Sequence, residues 1–302
     1  VLRRALLVAA GIAAAGLGGG LWLTAPRPIE AAAIPAGWSP DAEARARGAR
    51  LFALGSCASC HADPEASGEE RLVLKGGRRF ETGFGTFVAP NISQDVAAGI
   101  GAWGPAEFAS AFLRGVGAEG EHLYPAFPWA SYGRLELADA LDLFAYLRTL
   151  PADPTPSRPH ELGFPFSVRA GLGAWKLLYF DPDWVVTEGL SASAERGRRL
   201  VEGIGHCGEC HTPRNALGGP EPAKWMGGGP NPDGPGTIPD ISPSGLGGWS
   251  EADIAYFLES GFTPDYDSVG GSMTAVVEET AKLDPQDRED IAAYLKAIPP
   301  AN

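Results

Sequence analysis

The run Cys-x-x-Cys-His occurs twice in this chain, as Cys57-Ala58-Ser59-Cys60-His61 and as Cys207-Gly208-Glu209-Cys210-His211. The two runs use all 4 cysteines of the 302 residues, so none is left for a structural disulfide. The flanking sequence repeats with them. "PNIS" at 90–93 answers "PDIS" at 239–242, and "GIGAW" at 99–103 answers "GLGGW" at 245–249. Each copy ends in a helix-like stretch, "LADALDLFAYLRTLP" and "PQDREDIAAYLKAIP". Cys57 and Cys207 stand 150 positions apart and Leu150 and Ile298 stand 148 apart, so the spacing of landmarks is kept across the whole copy. The chain is therefore a tandem repeat of about 110 residues.

Cys-x-x-Cys-His is the attachment pattern of a c-type haem. One helical turn carries both thiols to one porphyrin edge, where they form thioethers, and leaves the following imidazole below the metal. A structural zinc site would have to gather ligands from two distant motifs that each look complete. A thioredoxin-like dithiol calls for a βαβ setting, which this loop-rich helical pattern lacks. The expectation is two covalently bound haem c groups, held by Cys57, Cys60, Cys207 and Cys210, with His61 and His211 as iron ligands. A prosthetic group also explains how such short copies fold, because it supplies much of each core.

The sequence predicts helices opening at Ser39-Pro40-Asp41 and near Ser193, helices over 105–115 and 250–260, and the two terminal helices. Between the copies, "PADPTPSRP" is a stiff linker, and "FPFSVRAGLGAWKLLYF" (164–180) is expected to pack between the repeats rather than on a membrane surface. The uncharged run from Ala5 to Pro26 follows Arg3 and Arg4 and is long enough to cross a bilayer as a helix. The competing reading is a cleaved leader ending near Ala31-Ala32-Ala33. The domain plan is thus a transmembrane anchor at 1–27, a first domain at 36–151, a linker at 152–190 and a second domain at 191–302. The charge pattern places the N-terminus in the cytoplasm and the haem domains in the periplasm, as a single-pass protein of the bacterial inner membrane. A formal net charge of −13 excludes nucleic acid as a partner and favours a basic redox protein.

Several stretches extend the pattern beyond the cysteines: "GTFVAPNIS" (85–93), "EHLYPAFPWASY" (121–132), "GHCGECHTPRNALGG" (205–219) and "GGSMTAVVEETAKL" (270–283). With these the chain resembles the membrane-anchored dihaem cytochromes c related to the cytochrome subunits of bacterial alcohol, gluconate and similar dehydrogenases. The likeness covers nearly everything after Pro35. It implies an all-α fold of two class I cytochrome c domains in tandem after an N-terminal transmembrane helix. It also implies electron transfer without bond chemistry of the chain's own. The donor would be a dehydrogenase or quinol-oxidising complex, and the acceptor a cytochrome or terminal oxidase. Two alternatives remain open: a dihaem peroxidase with an open haem in the first domain, and a structural subunit that anchors a dehydrogenase.

In class I domains the sixth iron ligand comes from the chain between the middle and last helices. In the second copy that segment holds Met273, in a glycine-framed loop. In the first copy, alignment on Trp103 and Trp249 puts Phe127 where Met273 stands, and a phenyl ring cannot bind iron. His122 is the nearby candidate, which makes the first haem bis-histidine through His61 and His122; an open iron, or a ligand from His160 or a partner, is the alternative. Asn91, Trp103 and Trp249 are expected to line the haems, and Arg214 to meet a propionate.

Overall fold

The structure, a computed structural model, describes residues 11, 15–16, 18–231 and 235–301. About half of the predicted membrane segment lies outside the described residues, and among those described no helix is long and apolar enough to cross a membrane. The first repeat contains helices α1 (Ala42–Leu54), α2 (Cys57–His61), α3 (Pro105–Arg114), α4 (Trp129–Tyr132) and α5 (Leu137–Leu147). Strands β1 (Arg79–Thr82) and β2 (Gly85–Val88) lie between α2 and α3. The connecting segment adds β3 (Glu161–Leu162) and helix α6 (Gly171–Tyr179). The second repeat contains α7 (Ala192–Arg198), α8 (Gly208–His211), α9 (Glu251–Ser260), α10 (Met273–Thr280) and α11 (Pro285–Ala297).

The helix starts follow side-chain chemistry. Asp41 caps α1 by accepting the Ala44 N–H at 2.7 Å, so Pro40 precedes the cap rather than occupying the first turn. Ser191, two residues before the expected start, caps α7 through the Ala194 N–H. At α9 the expected Ser250 start holds, and Asp253 answers it by accepting the Ser250 N–H at 2.8 Å.

Each repeat is closed where its first helix crosses its last. The crossing is made at Gly48 against Asp142 and Tyr146 in one copy, and at Gly197 against Asp290 and Tyr294 in the other. A Cβ at either glycine would run into the carbonyl oxygen of the facing aspartate. The preceding arginine binds that aspartate's carboxylate in both copies: Arg47 with Asp142 at 2.5 Å and Arg196 with Asp290 at 2.6 Å. Absence of a side chain brings the helices together, and the ion pair sets their register.

The fold is mostly helical, but it is not purely so. β1 pairs antiparallel with β2, and β3 from the connecting segment adds to the other edge of β2 through Gly85↔Leu162 and Thr86↔Glu161. Segments of four and two residues show too little alternation to announce themselves in a sequence. Helix α6 presents one face to both repeats. Its Trp175 ring meets Trp129 edge-on at 5.8 Å, while the Trp175 indole N–H donates to the Leu217 carbonyl at 3.0 Å. Leu177 and Leu178 of the same helix are exposed.

The repeats share one continuous apolar core. Polar contacts cross between them as well: Ser131 donates to Glu209 at 2.6 Å, Arg199 binds Asp139 at 2.5 Å, and Arg50 pairs with Asp287. Substituting Gly197→Ala is expected to cost about 1–3 kcal/mol by overpacking, read as a lowered guanidinium midpoint with unchanged haem content. An unchanged midpoint would mean that the helices separate there without penalty.

Candidate haem-attachment sites

The attachment turns begin with a forced backbone. Ser56 and His206, the residues just before the first cysteine of each motif, both lie in the left-handed region, with φ of 45° and 40°. That conformation ends the preceding helical segment and turns the motif into the core as the short helices α2 and α8. Burial, with the paired cysteine nearby, pushes the Cys57 and Cys207 thiols up to about 12. These sulfurs are thus neutral and lie among apolar groups, a setting suited to a thioether rather than a metal thiolate. None of the four cysteines is bridged to another. Among the described residues no cluster of three or more His, Cys, Asp or Glu side chains gathers as a zinc site would need.

The two histidines are held identically. His61 Nδ1–H donates to the Pro90 carbonyl at 2.9 Å, and His211 Nδ1–H donates to the Pro239 carbonyl at 2.9 Å. With Nδ1 so occupied, Nε2 carries the lone pair, the arrangement that orients a metal-binding imidazole. Burial also holds both rings below the usual histidine range, so they are neutral near pH 7. Behind each ring is a glycine that the sequence reading missed. The Gly76 N–H donates to the His61 carbonyl at 2.7 Å, and the Gly228 N–H donates to the His211 carbonyl at 2.7 Å. Both glycines have positive φ, +74° and +70°, and their backbones lie directly against the Pro90 and Pro239 segments, where a Cβ would clash. Imidazole, proline carbonyl and glycine N–H thus form one clasp, made twice. The "KGG" and "MGGG" runs at 75–77 and 226–229 were its only sequence signal.

The other expected site residues fall in different places. Trp103 and Trp249 are half-buried against the core at matching positions, their N–H groups bonded to Ile100 and Leu246. Asn91 is buried, but its amide donates to the Asp153 and Thr155 carbonyls at 2.8 Å each, tying down the linker. Arg214 pairs with the Glu209 carboxylate and donates to the Gly218 carbonyl, bracing the turn after α8. Met273 is the first residue of α10, half-buried against the core, at the end of the loop in which it was expected. Met226, the other methionine, is fully buried and its carbonyl accepts the Ile241 N–H. Leu74 does the same with Ile92 in the first copy, so Met226 is core.

His122 is buried away from the clasp, under the N-terminal segment and α6. Its Nε2–H donates to the Thr24 carbonyl at 2.8 Å, and Gly173 of α6 packs against the same nitrogen. Nδ1 is buried without a hydrogen-bond partner among the described residues. The backbone of His122 pairs with Val116 as that of Ser268 pairs with Phe262, the same offset of 146 that relates Phe127 to Met273. Phe127 is half-buried, edge-on to Tyr132 at 5.7 Å.

The two attachment turns touch each other. His206 Nε2 contacts the Gly55 carbonyl at 3.3 Å, and the His206 ring meets Tyr132 edge-on at 5.7 Å. The residues present therefore fit two covalently attached haems whose attachment edges share one seam of the protein.

Comparison with known proteins agrees. The family model described as cytochrome c matches residues 45–151 and again 194–299. The chain is 52% identical over 299 residues to a dihaem cytochrome c-type protein of Cereibacter sphaeroides, covering 99% of each chain. It is 34% identical to the cytochrome subunit of fructose dehydrogenase of Gluconobacter japonicus, over 84% of this chain and 52% of that one. It is 35% identical to the cytochrome c subunit of the quinone-linked alcohol dehydrogenase of Gluconacetobacter polyoxogenes, over 87% of this chain and 58% of that one. The chain thus spans little more than half the length of these dehydrogenase subunits. It belongs to the cytochrome c family, with two cytochrome c domains in tandem, two covalently bound c-type haems, and electron transfer as its function.

Proposed function

We propose that this chain relays electrons from a dehydrogenase or quinol-oxidising complex to a cytochrome or terminal oxidase on the periplasmic side of the bacterial inner membrane. The observation that carries the reading is the contact of the two attachment turns through Gly55 and His206, which would hold the haems attached to them close to one another. The haems, when bound, supply iron centres that take up and release single electrons; the rest is done by the chain. His61 and His211 are the ligands on the attachment side, oriented by the Pro90 and Pro239 carbonyls. Met273 would supply the remaining iron ligand in the second domain, where a thioether would raise the potential of the metal. Electrons then enter at the first domain and leave from the second. The acidic surface steers a basic partner and shortens the search for a productive encounter.

The dehydrogenase donor rests on relatives that are cytochrome subunits of such enzymes. Anchoring by the N-terminal apolar run is supported by the place where that run ends. Thr24 is held by His122 against α6. Leu21, Trp22 and Leu23 are exposed beside it, as are Phe164, Val168, Leu177 and Leu178 on the connecting segment. Exposed apolar groups of this kind mark a surface that meets another phase or partner, and a bilayer continuous with the anchor is the one we assign.

In a potentiometric titration followed by absorbance, Met273→Ala is expected to lower one of two waves and leave the other in place. If neither wave moves, Met273 is not a ligand. The double variant Cys57→Ala/Cys60→Ala is expected to retain about half the haem by the pyridine haemochrome assay. It should also cut donor-driven reduction of the acceptor by at least tenfold. Undiminished reduction through the remaining haem would sink the two-haem relay.

A further inference from the structure

We infer that the first haem has no sixth ligand from this chain and is a binding site for small neutral diatomic ligands, carbon monoxide being the test case. The inference rests on haem attachment at Cys57, Cys60 and His61 and on the Met273 assignment proposed above, and goes beyond the relay. Three observations lead to it.

The first is the internal repeat. The loop after α3 and the loop after α9 start alike, each with a glycine in the left-handed conformation, Gly115 and Gly261. They are then pinned by matching backbone bridges, Val116↔His122 and Phe262↔Ser268. At the offset these bridges define, Met273 corresponds to Phe127. The ligand position of copy two is therefore filled in copy one by a side chain with no lone pair.

The second is the occupation of His122. By the same equivalence it corresponds to Ser268, an exposed residue five positions short of the ligand position. Its Nε2 is committed to the Thr24 carbonyl at 2.8 Å, and α6 closes over that nitrogen at Gly173. Arg169 fixes the His122 carbonyl at 2.8 Å as well. Only the buried Nδ1 is left, and bringing it to a metal would release the contacts that hold the N-terminal segment on α6. The other histidine outside the motifs and the seam, His160, accepts the Val88 N–H at 3.1 Å through Nδ1 and lies between Phe87 and Tyr124.

The third is the chemistry of the surroundings. Phe127 stands edge-on to Tyr132, which stacks on Phe112 at 4.3 Å. Both Phe112 and Tyr132 are buried. Such a wall of rings disfavours an anion, whose charge would lose its hydration, and tolerates a neutral ligand. Phe127 can move without breaking a hydrogen bond, since a phenyl ring makes none.

The test uses the full-length holoprotein with both haems attached. The dithionite-reduced protein is titrated with carbon monoxide, and the oxidised protein is examined by low-temperature EPR. The expected result is binding of about one carbon monoxide per chain, and a high-spin ferric signal beside one low-spin signal. Phe127→Met, verified to carry two haems, should weaken carbon monoxide binding by at least about tenfold, equal to ~1.4 kcal/mol, and convert the high-spin signal to low spin. His122→Ala should leave both signals and the stoichiometry unchanged. Two low-spin signals in the wild type with no carbon monoxide bound would overturn the inference. So would a low-spin signal that His122→Ala converts to high spin, which would establish His122 as the ligand. Met273→Ala alone opening the second haem, with the first unchanged, would support the assignment of the two positions.

Discussion

The clasp on each histidine is the interaction around which this structure is arranged. An imidazole must present one nitrogen to a metal, and it does so reliably only if the other is held. Here the hold is a proline carbonyl, a group that takes part in no helix or strand pairing. Pro90 and Pro239 can serve because the chain returns alongside the motif, and it can return so closely because Gly76 and Gly228 have no side chain to push it away. The same glycines bond the histidine's own carbonyl, so ring and backbone are fixed from two directions. The first and last helices of each repeat then cross at Gly48 and Gly197.

The two copies have diverged where they face different neighbours. Leu74 and Met226 fill one position with different shapes of similar size. At the seam the two copies differ in reach: Ser56 and His206 share a backbone conformation, but His206 extends across to Gly55 of the other repeat. The buried Glu202 is another such addition. It accepts the Val185 and Val186 N–H groups and the Tyr294 hydroxyl, and lies 3.7 Å from Arg134 of the first repeat. A carboxylate at zero exposure is tolerated because nearly every lone pair has a donor.

Much of this was legible in the sequence, for identifiable reasons. The cysteine motifs are covalent chemistry and leave no freedom of interpretation; the repeat showed in landmarks that survive divergence, such as Trp103 and Trp249. The terminal helices have clear periodicity and caps. What stayed hidden depends on long-range contact. Nothing local says that Asn91 spends its amide on the linker at Asp153 and Thr155. His122 shows the difficulty best. In the chain it is the nearest nitrogen to the place where a ligand is wanted, and only the folded protein shows Thr24 bonded to it from 98 residues away. The small sheet was missed because its third strand is borrowed from the connecting segment.

The helix crossing has a consequence for how the protein is made. Gly48 meets Asp142, and Gly197 meets Asp290, so each repeat closes only when a helix more than ninety residues downstream has been synthesised. Contacts of such sequence separation form late. The first cysteine of each motif, in contrast, sits within a dozen residues of the first helix's glycine and emerges early. Between those two moments each motif is open on an unfinished domain, a window for thioether formation set by chain topology. The second repeat needs its own window, and the seam through Gly55 and His206 can be sealed only after both have passed.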